Sequence, residues 1–309
     1  MNQVSVIIVN YNTKELTENT IQSVINKTKG VDYEIIVADN NSQDGSVEEL
    51  KNTFQNKITI IESKQNLGFG KANNLAIKQV KGKYVFLLNS DTELINNSIK
   101  FFYDYMEQNE QVGLCCGNLY DEKNLPQESC DMHLYRNTVL SYFFWRLLGI
   151  CKHICYMKNV MSFNYSNKVK TVAWCLGADM FIRKTMFEKT GMFDENIFMY
   201  YEDMDLCFRI RKNGCLIKSL PEAKIIHFGS KSSNGIKNIE EEAMSYWYVM
   251  FKYFGKKTYF IYLDRQLRLL LKTIVSLLLF NKQKAKIFFN MYKVNKEKYY
   301  KQNNKLWNK

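Results

Sequence analysis

The sequence has no Cys-x-x-Cys pair, no zinc-ligand pattern of histidine with cysteine, no leader-like opening and no apolar run long enough to cross a bilayer. Each absence excludes a class. The eight cysteines are scattered, which argues against a disulfide framework and fits buried or free thiols in a reducing compartment. The three histidines, His133, His153 and His227, do not combine with the cysteines at zinc-finger spacing, so a structural zinc site is not expected. Met1-Asn2-Gln3 leads into a short strand-like run with no charged n-region, extended apolar core or small-residue cleavage site, so the expectation is a chain that is not exported. The most apolar stretch, Leu267–Phe280 (LRLLLKTIVSLLLF), falls below the ~20 apolar residues a spanning helix needs. With Lys272 inside it and Arg265, Arg268, Lys282, Lys284 and Lys286 in and around it, it reads as an interfacial or packing helix.

What is present is unevenly charged. The 309 residues carry a net charge of +12, and residues 231–309 hold all of it, with 17 Lys and Arg against 5 Asp and Glu. A neutral body with a basic, aromatic-rich tail points to an anionic surface as partner; the alternative is a solvated Lys-rich helical face. Nucleic acid is not expected, because no RNA-recognition signature accompanies the charge.

The first hundred residues alternate strand and helix. Val4–Val9, Tyr33–Ala38, Ile58–Ile61 and Tyr84–Leu88 are apolar, β-branched runs of the kind buried parallel strands show. Between them Leu16–Lys27, Ser46–Phe54 and Gly70–Val80 read as helices. This is βαβ organisation, and polar residues follow the carboxyl ends of the strands, where open α/β sheets bind ligands. Residues 131–170 break the pattern and are expected to form an acceptor-side insertion. Residues 240–300 read as helix throughout. The expected division is a catalytic unit over 1–235 and a basic helical extension over 236–309.

Seven motifs occur in order: VIIVNYN (6–12), VADNNSQDGS (37–46), NLGFGKANN (66–74), LLNSDTE (87–93), CLGADMFIRK (175–184), FDENIFMYYEDMDLCFR (193–209) and IIHFGSKSS (225–233). Together, on a βαβ frame, they resemble glycosyltransferase family 2, and within it the rhamnosyltransferase-like branch. The resemblance covers residues 4–233. It implies the GT-A fold, a Rossmann-like, mostly parallel sheet flanked by helices, together with an inverting displacement and a divalent metal, Mg²⁺ or Mn²⁺.

By position, the resemblance implies that Asp39 contacts the base or ribose of a nucleotide-sugar donor, with Asn10, Asn12, Asn66, Gly68, Phe69, Asn73, Asn89 and Ser90 around that donor. Physically, a carboxylate at a strand's carboxyl edge suits a base N–H or a ribose hydroxyl, although Asp39 or Ser42 could equally organise a turn. Asn89-Ser90-Asp91 stands where the family has an Asp-x-Asp metal motif. Asparagine offers only a neutral carbonyl oxygen, so Asp91 is the expected carboxylate ligand and His227 the expected completing ligand. Asp203 is the implied general base, with Glu202 beside it on a different helix face, while Asp205 and Arg209, four apart, can pair. Gly177, Ala178 and Asp179 are implied in the acceptor pocket, and Trp174 is either a platform for a sugar face or a core residue.

The function expected is transfer of a sugar, dTDP-rhamnose or a UDP-sugar being the donor, to a hydroxyl of a saccharide or lipid-linked saccharide at the inner face of the cell membrane. The alternative is a catalytically silent scaffold that binds sugar nucleotide. The C-terminal helices are also a candidate surface for a homo-oligomer.

Overall fold

The computed structural model describes residues 2–131, 162–229 and 235–307. Strands β1 (Val4–Asn10), β2 (Tyr33–Asp39) and β4 (Tyr84–Asn89) are the apolar runs, and both of their faces are buried, as a parallel sheet between two helical layers requires. β1 lies between the other two, with Val4 opposite both Tyr33 and Tyr84, and β3 (Ile58–Glu62) extends the sheet beyond β2. Helices α1 (Lys14–Lys27), α2 (Ser46–Phe54) and α3 (Phe69–Ile77) make the connections. From β1 the chain steps outward through β2 to β3, and α3 returns it to β4 on the opposite side of β1. That reversal is a topological switch point, where a crevice opens at the strands' carboxyl ends.

The second half completes a mixed sheet in the order β3-β2-β1-β4-β10-β6-β11-β5. β5 is Thr92–Leu94 and β6 is Val112–Tyr120. β7 (Cys130–Asp131) pairs with β9 (Trp174–Cys175), and β8 (Lys170–Thr171) pairs with the long β11 (Leu216–His227). β10 (Asp179–Arg183) runs antiparallel between β4 and β6. Helices α4 (Ser98–Gln108), α5 (Thr185–Thr190) and α6 (Glu202–Lys212) cover the sheet. The expected mostly parallel sheet flanked by helices is what the chain forms. The expected insertion over 131–170 falls largely on residues outside the described ones.

One core cluster joins α1, α2 and α4 to the sheet through Ile21, Leu50 and Phe102, and a second joins α3, α5 and α6 through Ala76, Phe187 and Leu206. Each buried Ile, Leu or Phe among these contributes about 1.5–3 kcal/mol. Five of the six described cysteines lie inside, and all six are free thiols.

The C-terminal region is not one continuous helix. It forms α7 (Gly235–Phe254), α8 (Thr258–Leu278) and α9 (Lys282–Trp307). A third cluster packs Trp247, Met250, Ile261, Tyr262 and Tyr299 of these helices on Ile197 and Met204 of the catalytic unit. The Trp247 indole N–H donates to Asn295 Oδ1 at 3.0 Å, tying α7 to α9. Among the described residues no helix is long and apolar enough to cross a membrane.

Candidate active site

The crevice is built on hydrogen-bonded asparagines. At the end of β1, Asn10 is 0 % exposed and donates to Asp39 Oδ1 at 2.8 Å and to Ser42 Oγ at 3.0 Å. Its own carbonyl oxygen accepts from the Thr13 and Thr17 hydroxyls. Asn10 therefore orients Asp39 from beneath. The other Asp39 oxygen accepts the Ser42 backbone N–H at 3.0 Å, so this carboxylate does organise the turn after β2. Asn12, with a left-handed φ of 54°, accepts the Gln43 N–H across the same loop.

Asn40 was not singled out by sequence, yet it links the loop after β2 to the loop before α3. It donates to Asn66 Oδ1 at 2.9 Å and accepts from the Leu67 N–H at 2.8 Å. The Asn66 oxygen in turn accepts the Gly68 N–H at 2.9 Å. Gly68 has φ +81°, and a side chain there would collide with the Phe198 carbonyl, so the α3 loop and the segment before α6 meet backbone to backbone. The Phe69 N–H donates to that carbonyl at 3.0 Å. Asn73 is buried and donates to the Phe69 carbonyl at 3.0 Å, while its neighbour Asn74, also missed, exchanges hydrogen bonds with the Phe193 backbone. The signal available in the sequence was the excess of asparagine within three of the motifs.

The β4 end brings Asn89, Ser90 and Asp91 into the crevice. Ser90 Oγ lies at hydrogen-bond distance, 3.0 Å, from the Thr13 hydroxyl. Asn89 Oδ1 is buried and has no hydrogen-bond partner among the described residues. Asp91 is nearly buried, and its Oδ1 lies 3.5 Å from His227 Nε2, because β11 ends beside β5 with His227 opposite Thr92. The two residues expected to hold a metal are thus brought together. Among the described residues no third histidine, cysteine or acid joins them.

Asp203 and Glu202 open α6 behind two consecutive left-handed tyrosines, Tyr200 (φ 68°) and Tyr201 (φ 67°). That conformation is costly for aromatic residues and persists where surroundings enforce it. Here α7 does so: the Ser245 hydroxyl donates to the Met199 carbonyl at 2.7 Å, and Tyr201 packs edge-on against Tyr246. Asp203 Oδ2 accepts the Gly177 N–H at 2.9 Å, and Ala178 next to it accepts the Asn89 N–H at 3.0 Å. A short chain of hydrogen bonds therefore joins the proposed base to the strand end that carries Asp91. Gly177 leaves room for this, since a Cβ there would lie 3.2 Å from the Phe69 ring and 3.6 Å from Asp203 Cβ.

The two carboxyls diverge as helix geometry requires. Burial pushes Asp203 up to about 6, two backbone N–H donors holding it back from going further. Glu202 is 6 % exposed, faces the start of α3 near Gly70, and has one oxygen without a partner among the described residues. Burial first, and the Asp203 charge second, push it up to about 8. Asp205 is fully buried and pairs with Arg209 at 2.8 Å and Lys252 at 2.7 Å.

Two residues expected on the acceptor side sit deeper than a surface contact. Asp179 is 0 % exposed, accepts the Gly117 N–H at 2.5 Å from within the sheet, and is held well above the usual carboxylate range by burial. Trp174 is half-buried between the second and third clusters, and its indole N–H has no partner among the described residues.

Comparison with known proteins places the family and the fold. Rhamnosyltransferase WbbL of Escherichia coli K12 is 31 % identical over 170 residues, a region spanning 52 % of this chain and 61 % of WbbL. The N-acetylglucosaminyl-diphospho-decaprenol L-rhamnosyltransferase of Mycobacterium tuberculosis is 25 % identical over 219 residues, 64 % of this chain and 67 % of that protein. Among solved structures, GalNAc-T7 with UDP, GalNAc and Mn²⁺ superposes with a TM-score of 0.55 at 13 % identity, over 79 % of this chain and 47 % of that one, and establishes the fold as GT-A. The family model for glycosyl transferase family 2 matches residues 5–163, just over half of the chain, and on that match the protein belongs to glycosyltransferase family 2.

Proposed function

We propose that this glycosyltransferase inverts configuration, moving a sugar from a nucleoside-diphosphate donor to a hydroxyl of a lipid-linked saccharide in cell-surface polysaccharide synthesis. The donor is a dTDP-rhamnose or a UDP-sugar, and the reaction takes place on the cytoplasmic face of the cell membrane. Asp203 carries the reading. It is a partly buried carboxyl, raised to about 6 and fixed by the Gly177 N–H, at the edge of the crevice that holds Asp39 and Asp91. A base of that strength is ionised at neutral pH yet accepts a proton readily. In the displacement the acceptor oxygen bonds to the anomeric carbon, the bond from that carbon to the diphosphate oxygen breaks, and the hydroxyl proton passes to Asp203.

Asp91 and His227 fit a divalent ion, a carboxylate oxygen and an imidazole nitrogen 3.5 Å apart, and on the same strand end Asn89 has a buried amide oxygen with no partner among the described residues. This mixed oxygen and nitrogen set suits Mg²⁺ or Mn²⁺, with the donor's phosphates completing it. Such an ion would neutralise charge on the leaving diphosphate. The decaprenol in the name of the mycobacterial relative supports a lipid-linked acceptor. A screen of nucleotide sugars by nucleoside-diphosphate release, with and without Mn²⁺ or Mg²⁺, tests the reading. One donor should be turned over in a metal-dependent way, with the anomeric configuration of the product inverted. Donor binding without release from any donor would favour the silent scaffold instead.

A further inference from the structure

Most of the large apolar side chains exposed among the described residues lie between Tyr259 and Tyr300, in the hairpin of α8 and α9. The sequence left open whether the Leu267–Phe280 segment packs or lies at an interface. One face packs, and the opposite face is exposed. Ile261, Tyr262, Leu269, Thr273 and Ser276 are buried, on the inner face of α8. Leu263, Leu267, Leu270, Leu271, Ile274 and Leu278 recur every three or four residues on the outer face and are 40–72 % exposed.

The hairpin tip is more exposed still. α8 stops in a Schellman turn, in which Asn281 N–H donates to the Ser276 carbonyl and Phe280 N–H to the Leu277 carbonyl. Phe280 takes the left-handed position where glycine is usual, with φ 54°, and its side chain is 92 % exposed beside Leu279 at 73 %. Asn281 then caps α9 by accepting the Lys284 N–H at 3.0 Å. The tip is an ordered turn that presents an apolar point.

The surrounding charge identifies what covers this surface. Residues 258–307 contain eleven Lys and Arg against two acids, Asp264 and Glu297, and Lys282, Lys284 and Lys286 are exposed directly after the tip. A second copy of the same face would bring like charges together, whereas an anionic bilayer meets apolar and cationic groups at once. We infer that the outer face of α8 and the Leu278–Phe280 tip form a membrane-docking surface, lying in the interface of an anionic lipid leaflet. This deepens the membrane-side part of the function proposed above and rests on it only for the identity of the acceptor.

The test uses the full chain and vesicles of phosphatidylglycerol mixed with phosphatidylcholine, or of phosphatidylcholine alone, in a sedimentation assay. The chain should pellet with the anionic vesicles and much less with the neutral ones. Leu278→Ser, Leu279→Ser and Phe280→Ser combined should lower the affinity at least about tenfold, and Lys282→Gln, Lys284→Gln and Lys286→Gln combined should lower it about as much and weaken its salt dependence. Donor turnover without vesicles should be the same in both variants, which separates failure of this inference from failure of the catalytic reading. Pelleting unaffected by either variant would overturn the inference. So would a homodimer in light scattering that the serine variant dissociates while the parent chain ignores vesicles.

Discussion

Glu202 and Asp203 are adjacent in sequence but opposite in surroundings, and their titration separates their roles. Since Asp203 is raised to about 6, the base form is lost as pH falls through that value. The rate constant kcat/KM should therefore drop about tenfold per pH unit below 6 and be level above it, in a pH series on the free enzyme. Glu202, raised to about 8, is protonated at neutral pH. A carboxyl with a raised folded-state value stabilises the fold fully below its unfolded value, and that stabilisation is lost as pH rises through about 8. Glu202→Gln keeps a neutral side chain throughout, so its melting temperature relative to the parent chain should climb between pH 5 and pH 9. A flat difference would mean that Glu202 is ionised in the fold. At the diphosphate end, Asp91→Ala should abolish metal-dependent donor binding in isothermal titration, and His227→Ala should weaken it less severely, since the carboxylate supplies the charge.

Among the elements, the contact between α7 and the segment before α6 has the largest consequence. α7 holds Met199 and Tyr201 in place, Lys252 reaches both Asp194 at 2.6 Å and Asp205 at 2.7 Å, and Arg265 of α8 reaches Glu242 at 3.2 Å. Lys252→Met leaves the buried Asp205 with Arg209 and the Tyr253 hydroxyl, so it should destabilise by about 1–3 kcal/mol in denaturant unfolding. Ending the chain at residue 239 should cost far more, because it strips Trp247 and Met250 from Ile197 and Met204. In this respect the C-terminal helices are part of the catalytic unit's packing. The βαβ half was legible in sequence because strands buried on both faces read as apolar runs, and helix ends there fell within a few residues. β6 was not legible: Gly113, Gly117 and Asn118 interrupt its apolar run, and their reasons are tertiary, Gly117 meeting Asp179 and Asn118 donating to the Asn164 carbonyl. Only the end of β11 was legible, as the apolar run before His227; Pro221 lies in its register shift, and Lys218 and Lys224 break its apolar pattern. The motif residues were legible as types at strand ends. The hydrogen bonds that make Asn10 a support for Asp39, or Asn40 a link between loops, depend on distant partners that no local pattern encodes.

As a whole, the molecule is a neutral catalytic body joined to a strongly basic helical hairpin. The comparisons establish the family and the fold, and the hairpin's charge and exposed apolar face carry the membrane-docking inference. The chemistry proposed for it rests on one arrangement: a crevice at the switch point of the sheet, and Asp203 tied through Gly177 and Ala178 to the strand end that bears Asp91. The most direct test of that arrangement is Asp203→Asn, measured for donor turnover and for donor affinity in the same metal-containing buffer. Turnover should fall by about 10²–10⁴-fold, since only the proton acceptor is lost, while the donor dissociation constant stays within about threefold of the parent's. Near-normal turnover by Asp203→Asn would contradict the account and move the base to another carboxylate.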